Sequence, residues 1–382
     1  MQAESKKPLR VLHITEELSA AGIESFIFNI YRQLDRSQIQ FDFLLLRNQP
    51  EFYDEEVKRL GGHKYWIHSD KGNTLLRILD ESQQLKAFIK DHPYDIVHIH
   101  YTTPLRAPYT KALKEAGVKT VIYHSHSAAV EGKSWLKKTI YHHYQKMLTK
   151  YADAYFACSQ AAAEWMFEPD LIAQGKVRVF PNGIDIGRFQ FRPEKRKSQR
   201  EKLGAGSEPI LVHTGRLSAQ KNQLFLLDLL KELRKEEPEA RLILIGQGED
   251  QEKIEARIQE LNLQEAVLMT GVVSNVEDYL FAADCYVMPS LYEGLPVAGI
   301  EALCTGIPCL FSANITEEVN VTGKGRFLSL DAPLDAWVKA VQERLTQGHS
   351  CEGETIRKAG YSVADTAEEL SHFYLQETGH ED

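Results

Sequence analysis

The residues with the clearest chemical potential follow a short apolar run in the second half of the chain. Arg216 and Lys221 lie in the segment Thr214-Gly-Arg-Leu-Ser-Ala-Gln-Lys-Asn222, directly after Ile210–Thr214. A guanidinium with a fork of donors and an ammonium with a compact charge both suit phosphate oxygens. The pair therefore indicates a site for two linked phosphates, although surface charges beside the start of a helix give the same pattern.

A second group occupies Pro289-Ser-Leu-Tyr-Glu-Gly-Leu-Pro-Val-Ala-Gly-Ile-Glu301, after the apolar run Cys285–Met288. We predict a turn at Gly294 and a helix that starts with Pro296, since proline suits the first helical position. The free N–H groups and partial positive charge at such a helix start attract phosphate. Glu293 and Glu301 would repel phosphate, so we expect them to accept hydrogen bonds from sugar hydroxyls. The alternative is that Glu293 caps the helix and Glu301 is solvated.

Glycines and histidines mark further strand ends. Gly246 in Ile245-Gly-Gln-Gly-Glu249 allows either a ligand close to the backbone or an ordinary tight turn. Gly22 lies in the loop after the first apolar run, and that loop lacks the G-x-G-x-x-G pattern, so no nicotinamide cofactor is expected.

Two neighbouring strand-like runs end in histidines, His98 and His100 in one, His124 and His126 in the next. Residues two apart on a strand share a face, so each pair points the same way. The histidines either contact a ligand or belong to the core. No Asp or Cys accompanies them at metal-ligand spacing, so no metal is expected.

Strands and helices must alternate along the chain to place these residues. Short apolar runs separated by helical patterns predict parallel sheets with helices on both faces, an α/β fold class. The charged stretch 188–202 interrupts this alternation, so we predict a first domain at 1–185, a second at 186–360 and a closing helix in 361–382 that crosses back to the first. The predicted strands are Leu9–Thr15, Phe41–Leu46, Tyr94–His100, Lys119–His126, Ala154–Cys158, Ile210–Thr214, Leu242–Ile245, Ala266–Met269, Cys285–Met288 and Pro308–Phe311.

Composition excludes several classes of protein. The 382 residues carry a net charge of −9, which disfavours a nucleic-acid partner, and no apolar run approaches the roughly 20 residues of a membrane span. No signal-like apolar stretch follows Arg10, so a cytoplasmic location is expected. The five cysteines show no disulfide pattern. Residues 132–150 hold five lysines and no acid, which indicates either an anionic membrane surface as partner or a helix with a solvated basic face.

Together these motifs resemble the family-four retaining glycosyltransferases of the GT-B fold, and among them bacterial enzymes that build exopolysaccharide and capsule. The resemblance extends over nearly the whole chain and includes the spacing of eight positions between the two glutamates. It rests on Ala21-Gly22 to Arg32, Asp35-Arg-Ser37, Phe41-Asp-Phe43, His124-Ser-His126, Pro181-Asn-Gly-Ile-Asp185, Gly215-Arg216, Lys221-Asn222, and Glu293 to Glu301.

The resemblance implies a fold and an activity. Two Rossmann-like domains would face each other across a cleft, and the enzyme would transfer a sugar from a nucleotide diphosphate, with UDP as the expected nucleotide. Anomeric configuration would be retained, and neither a metal nor another cofactor would take part. The implied acceptor is a glycan or a polyprenyl-diphosphate-linked glycan at the inner face of the cytoplasmic membrane.

The resemblance also implies roles for individual residues. Arg216 and Lys221 would hold the diphosphate, Glu301 the ribose, and Glu293 the donor sugar. His126 would reach the transferred sugar. The remaining donor-side positions are Gly22, Gly215, Gly246, Val272 beside the base, Gly294, Leu295, Pro296 and Val297.

Two alternatives remain open from the sequence. A sugar-nucleotide epimerase of similar two-domain architecture would interconvert donor sugars without an acceptor. A non-catalytic scaffold protein would bind the sugar nucleotide without turnover.

Overall fold

A computed structural model describes residues 7–19, 22–127 and 135–379, with side chains omitted at 135–138. The chain forms two compact units. The first comprises the residues up to Gly183 together with those from Val363 onward, and the second runs from Ile184 to Ser362. Each unit is built on one parallel β-sheet, which confirms the predicted α/β class.

The sheet of the first unit has seven strands in the order β3-β2-β1-β4-β5-β6-β7, all parallel. Its central strands are buried along both faces, as expected of a sheet covered by helices on each side. The strands are β1 Leu9–Thr15, β2 Ile39–Leu45, β3 Lys64–Trp66, β4 Ile96–Tyr101, β5 Thr120–Ser125, β6 Ala154–Ala157 and β7 Val177–Val179.

Seven helices connect these strands. The first buries Phe26, Ile27 and Ile30 against the sheet, and it begins at Gly22, so Gly22 is a helical residue rather than the loop residue that we predicted. The helices are α1 Gly22–Gln33, α2 Asp54–Leu60, α3 Thr74–Asp91, α4 Pro108–Ala116, α5 Trp135–Tyr151, α6 Gln160–Met166 and α7 Pro169–Ala173, with a 3-10 turn at Pro104–Arg106.

The sheet of the second unit has six parallel strands in the order β10-β9-β8-β11-β12-β13. It repeats the winding of the first sheet, because the first strand of each unit is central and the chain moves outward to one edge and then to the other. The strands are β8 Ile210–Thr214, β9 Arg241–Ile245, β10 Val267–Gly271, β11 Cys285–Met288, β12 Cys309–Ser312 and β13 Arg326–Leu328.

The second unit contains eight helices among its described residues, with 3-10 turns at Ala219–Lys221 and Glu317–Val319. Pro296 lies just before the helix that we predicted it would start, because the helix begins at Val297. The charged stretch after Arg188 contains a helix of ten residues. The helices are α8 Ile186–Phe189, α9 Pro193–Lys202, α10 Gln223–Leu233, α11 Gln251–Glu260, α12 Val276–Ala282, α13 Val297–Cys304, α14 Leu334–Leu345 and α15 Gly353–Lys358.

The last helix, α16 Val363–Thr378, belongs to the first unit. Its residues Leu370, Phe373 and Tyr374 are buried in one core cluster with residues of α1 and β2. Both α1 and α16 therefore cover the same face of the first sheet. Within the described ranges, no helix combines the length and the apolar character that crossing a membrane requires.

Candidate active site

The loop after β8 is held by two buried polar side chains that the sequence pattern does not single out. His213 Nδ1 lies 2.8 Å from the carbonyl oxygen of Val287, and since a carbonyl only accepts, the proton is on Nδ1. Gln223 Nε2 lies 3.4 Å from His213 Nε2 and donates to the Arg216 carbonyl at 2.9 Å. The Gln223 side-chain oxygen accepts a hydrogen bond from the Ser218 amide at 3.3 Å. Burial lowers the pKa of His213 to about 4, so the ring is neutral. These contacts fix the backbone of the loop.

The predicted cation Lys221 and the predicted acid Glu293 form an ion pair, with 2.6 Å between Nζ and Oε1. Their side chains are only 17% and 10% exposed. Lys221 packs along Gly215, where a Cβ would lie 3.3 Å from Lys221 Cε. Gln220 Nε2 donates to the other carboxylate oxygen of Glu293 at 3.4 Å, and the Glu293 backbone bridges to Ile315. The pair is thus built into the carboxyl edge of the sheet.

Arg216 lies in the same loop and is far more exposed than Lys221. Its side chain is 72% exposed, and Nε donates to Glu249 Oε2 at 2.7 Å. An ion pair between exposed side chains contributes little to stability. Arg216 can therefore exchange Glu249 for an anionic ligand at small cost.

The segment before α13 is open on one side. A Cβ on Gly294 would meet nothing within 4 Å, so ligand atoms have room beside the residues Leu295, Pro296 and Val297. The Leu291 amide donates to the Gln220 carbonyl at 2.8 Å and ties this segment to the loop after β8. The two predicted phosphate-binding segments are therefore neighbours.

Glu301 lies within α13 and is partly buried. Burial raises its pKa to about 7. No described residue forms a hydrogen bond or an ion pair with its carboxyl group. Burial is the main reason that the pKa of the Tyr286 hydroxyl is raised, and the charges of Glu301 and Glu293 raise it further. Both acids therefore lie near the end of β11.

Two further predicted donor-side positions, Gly246 and Val272, differ in their surroundings. A Cβ on Gly246 would lie 2.1 Å from the Gly215 carbonyl oxygen, so close approach of two backbone segments already requires glycine there. Val272 follows β10 and is 64% exposed, which leaves its side chain available for a flat ligand surface.

The first unit contains a cavity of about 410 Å³ at the carboxyl ends of its central strands. Gly22 and His126 line this cavity, as does Glu24, which no pattern distinguished from an ordinary acid in the first turn of a helix. Glu24 is 4% exposed, burial raises the pKa of its carboxyl group, and Thr15 Oγ1 donates to it at 3.1 Å. The other lining residues are Thr15, Glu16, Glu17, Ser19, Ile23, Arg47, His100, Tyr101, Thr102, Ser127 and Asn182.

Five histidines lie side by side beneath this cavity, on the face of the first sheet that α1 and α16 cover. We call them the histidine cluster, which joins the four histidines that we predicted at two neighbouring strand ends with His13 of β1, which our predictions did not include. Ring nitrogens in two triplets, which share His100, lie within 4.8 Å of one another, close enough to consider a metal ion. The cluster consists of His13, His98, His100, His124 and His126.

Two family models together cover most of the chain. Residues 20–188 match the model described as Glycosyltransferase Family 4, and residues 195–359 match Glycosyl transferases group 1. The chain is also 30% identical to the putative glycosyltransferase EpsF of Bacillus subtilis, over 96% of each chain. The chain belongs to glycosyltransferase family 4. It is similarly related, at 22% identity over 96% of this chain and 97% of the relative, to an Escherichia coli UDP-Gal:alpha-D-GlcNAc-diphosphoundecaprenol alpha-1,3-galactosyltransferase.

Solved structures show that this family-4 glycosyltransferase has the GT-B fold. A glycosyltransferase from Rickettsia africae superposes with a TM-score of 0.75 at 16% identity, over 98% of this chain and 99% of that one. Anabaena HepE in complex with UDP superposes with a TM-score of 0.69 at 16% identity, over 97% of this chain and all of that one. The predicted fold is confirmed.

The predicted site residues of this glycosyltransferase divide between its two units. In the second unit, Arg216 and Lys221 follow β8, Glu293 follows β11 and Glu301 lies in α13, and the remaining donor-side positions except Gly22 belong to the same unit. His126 and Gly22 line the cavity of the first unit. Each unit thus presents polar groups where loops follow parallel strands, the usual place for ligands in such sheets.

Proposed function

We propose that this glycosyltransferase moves a sugar from a UDP-sugar to a glycan or polyprenyl-diphosphate-linked acceptor, in the assembly of a cell-surface polysaccharide. Anomeric configuration is retained and no metal is used. The observation that carries this proposal is the Lys221–Glu293 pair, held at 2.6 Å beside the open segment that precedes α13.

The leaving diphosphate is stabilised by fixed positive charge. Lys221 is ordered by Gly215 and Glu293 before any ligand arrives, so little reorganisation is needed as negative charge grows on the leaving group. Arg216 leaves Glu249 and closes on the second phosphate. The free amides at the start of α13 add donors on the opposite side. Three sources of positive potential together supply what a metal ion would otherwise provide.

The two glutamates recognise the sugar parts of the donor. Glu301 has no protein partner among the described residues, so its carboxyl oxygens can accept hydrogen bonds from the ribose hydroxyls. Glu293 keeps one oxygen on Lys221 and turns the other, now weakly bonded to Gln220 at 3.4 Å, toward the donor sugar. The exposed Val272 packs against the base. The UDP complex of Anabaena HepE supports uridine as this base.

The cavity of the first unit takes part on the side of the transferred sugar and the acceptor. His126 offers a ring nitrogen to the sugar, and the open space around Gly22 lets a ligand approach the start of α1. A lipid-linked acceptor is supported by the Escherichia coli relative, whose name specifies a GlcNAc-diphosphoundecaprenol acceptor.

An anionic membrane surface is the proposed partner for the basic segment 132–150. Residues 132–134 and the side chains of 135–138 lie outside the description, but Ile140 is exposed on α5, and Lys150 lies in the last turn of that helix. Leu75, Leu76 and Leu79 are likewise exposed near the start of α3. The protein should sediment with anionic liposomes and stay in the supernatant with neutral liposomes. If it stays in the supernatant with both, a membrane role is contradicted.

Product analysis tests the proposed function. The purified protein is incubated with UDP-sugars and a diphosphate-linked acceptor, with and without EDTA, and the product's anomeric proton is observed by NMR. We expect release of UDP, a retained configuration, and equal rates with EDTA. Interconversion of free donor sugars would assign an epimerase, and UDP-sugar binding without turnover would assign a scaffold protein.

A further inference from the structure

Three members of the histidine cluster form one continuous hydrogen-bonded chain. His13 Nδ1 lies 2.9 Å from His100 Nε2, and His100 Nδ1 lies 2.9 Å from His126 Nε2. One end of this three-histidine chain is His13 Nε2, which is buried. The other end is His126 Nδ1, which is also buried and belongs to a ring that lines the cavity of the first unit. Neither end nitrogen has a hydrogen-bond partner among the described residues.

In this three-histidine chain, the tautomer of one ring determines the tautomers of the other two. Burial lowers the pKa of His13 and His126 to about 3 and that of His100 well below its usual range, so all three rings are neutral at pH 7. A neutral imidazole has one N–H and one bare nitrogen. Each link needs one donor and one acceptor, so all three N–H groups must point the same way, either toward the cavity or away from it.

Both end nitrogens are buried, so the choice between these two directions depends on the cavity, which only the His126 ring lines. If the N–H groups pointed away from the cavity, His13 Nε2 would carry a hydrogen with nothing to bind, and buried N–H groups without a partner are the rarer and costlier defect. If they point toward the cavity, His13 Nε2 is only a bare acceptor. The second direction instead places the unpaired N–H on His126, whose ring lines a cavity where a ligand can accept its bond.

We propose that His13 and His100 are positioning residues that hold His126 in its Nδ1–H form, so that His126 donates a hydrogen bond to an oxygen of the ligand in the cavity. The identity of that oxygen, a sugar hydroxyl or a phosphate oxygen, rests on the proposed function, whereas the tautomer does not. An imidazole free in water favours Nε2–H, so the chain reverses the ordinary preference. The partner that one ring nitrogen finds sets the state of the other.

The distances favour hydrogen bonds over a metal ion at this position. Two nitrogens that share a tetrahedral zinc ion at about 2.1 Å lie about 3.4 Å apart. The nitrogens in the three-histidine chain are 2.9 Å apart, which is an ordinary hydrogen-bond length. A zinc ion shared by these nitrogens would require them to move apart and would replace both hydrogen bonds.

The other two histidines provide a matched control. His98 Nε2 lies 3.2 Å from His124 Nδ1, and His98 Nδ1 lies 2.7 Å from the Tyr374 hydroxyl, so these residues form a separate chain that ends on α16. His98 stacks on His100 with 4.1 Å between ring centroids and is equally buried. His98→Phe therefore perturbs the same core without breaking the three-histidine chain.

Long-range nitrogen–proton NMR of the ligand-free protein, with ¹⁵N-labelled histidine, tests the proposal directly. The His126 signals are assigned by their loss in His126→Gln. We expect Nδ1–H in the wild type and in His98→Phe, and a shift toward Nε2–H in His13→Phe. His13→Asn, whose amide nitrogen replaces Nδ1 as a donor, should restore Nδ1–H. Nε2–H in the wild type overturns the proposal, as does a nitrogen signal that EDTA changes, because that signal would mean a bound metal.

Kinetics supply a second readout. His13 does not line the cavity, so His13→Phe should lower kcat/KM by about five- to tenfold, the value of one hydrogen bond, and His13→Asn should recover most of it. If the wild type shows the expected tautomer but transfers no sugar, the proposed function fails and this inference stands. If it transfers sugar with His126 in the Nε2–H form, only this inference fails.

Discussion

The central strand of each sheet carries a buried histidine near its carboxyl end, His13 on β1 and His213 on β8, at 2% and 0% exposure. Burial makes both rings neutral. His213 gives its proton to a backbone carbonyl of β11, and its other nitrogen faces Gln223. His13 instead bonds to another imidazole, and its other nitrogen has no described partner.

The strands beside them differ in the same way. In the second unit the strands beside β8 present Leu244 and Val287 to His213, and the polar contacts lead only to the backbone of the loop that carries the cations. In the first unit the neighbouring strands present further histidines, and the contacts lead to a ligand cavity. The same winding therefore supports a fixed cationic loop in one unit and a hydrogen-bond relay in the other.

The largest effect should come from the cations that the rigid loop holds. Lys221→Ala and Arg216→Ala should each lower kcat by on the order of 10²–10³, the loss typical of one stabilising group at a developing charge. Steady-state kinetics with a saturating donor measure this, and the control is Lys235→Ala, which changes an exposed lysine just after the end of α10. A wild-type kcat in either variant would contradict the catalytic role that we assign to the cations of this loop.

An intermediate effect should follow when the loop loses its support. Gln223→Leu leaves the Arg216 carbonyl and His213 Nε2 without their donor, so the loop should relax and KM for the donor should rise about tenfold. The matched change in the first unit, His13→Phe, does not touch this loop and should raise the donor KM less than Gln223→Leu does. An equal rise in the donor KM in both variants would contradict the separate roles that we assign to the two units.

The smallest effect should be on thermal stability, and it comes from the buried carboxyl group of Glu301 in the second unit. The pKa of Glu301 is about 7 in the folded chain against 4.5 as its ordinary value, so between these pH values the folded state holds more protons than the unfolded state. Stability therefore falls as pH rises through this window. Glu301→Gln lacks this loss and should melt about 2–4 °C above the wild type at pH 8 but alike at pH 5. A difference that does not change with pH would contradict the buried, shifted carboxyl.

Much of the fold could be read from the sequence because the central strands are continuous apolar runs. Leu9–Thr15, Ile210–Thr214 and Cys285–Met288 have the bounds that we predicted. The pattern missed β3, β7 and β13, which are three residues long, lie at sheet edges and mix polar with apolar side chains. Such strands exist because a neighbour offers hydrogen bonds, and a local pattern does not contain that neighbour.

The site was predictable where it depends on loops after strands and not where it depends on register. Lys221 and Glu293 each follow a strand end, and the sheet order then makes them neighbours. His13 looked like a lone polar residue in an apolar run. It meets His100 only because β1 pairs with β4 in a register that sets His13 beside His98. Cross-strand register is a property of the folded sheet, and no spacing along the chain encodes it.

Thermal unfolding with UDP, GDP and ADP, each with and without EDTA, tests most directly whether the second unit holds a nucleotide diphosphate by its own cations. A ligand at 100 times its Kd stabilises the folded state by about 2.7 kcal/mol. We expect UDP to raise the Tm equally with and without EDTA, and Lys221→Ala to lose the rise. No rise with any nucleotide, or a rise that EDTA abolishes, would contradict a metal-free diphosphate site at Lys221 and α13.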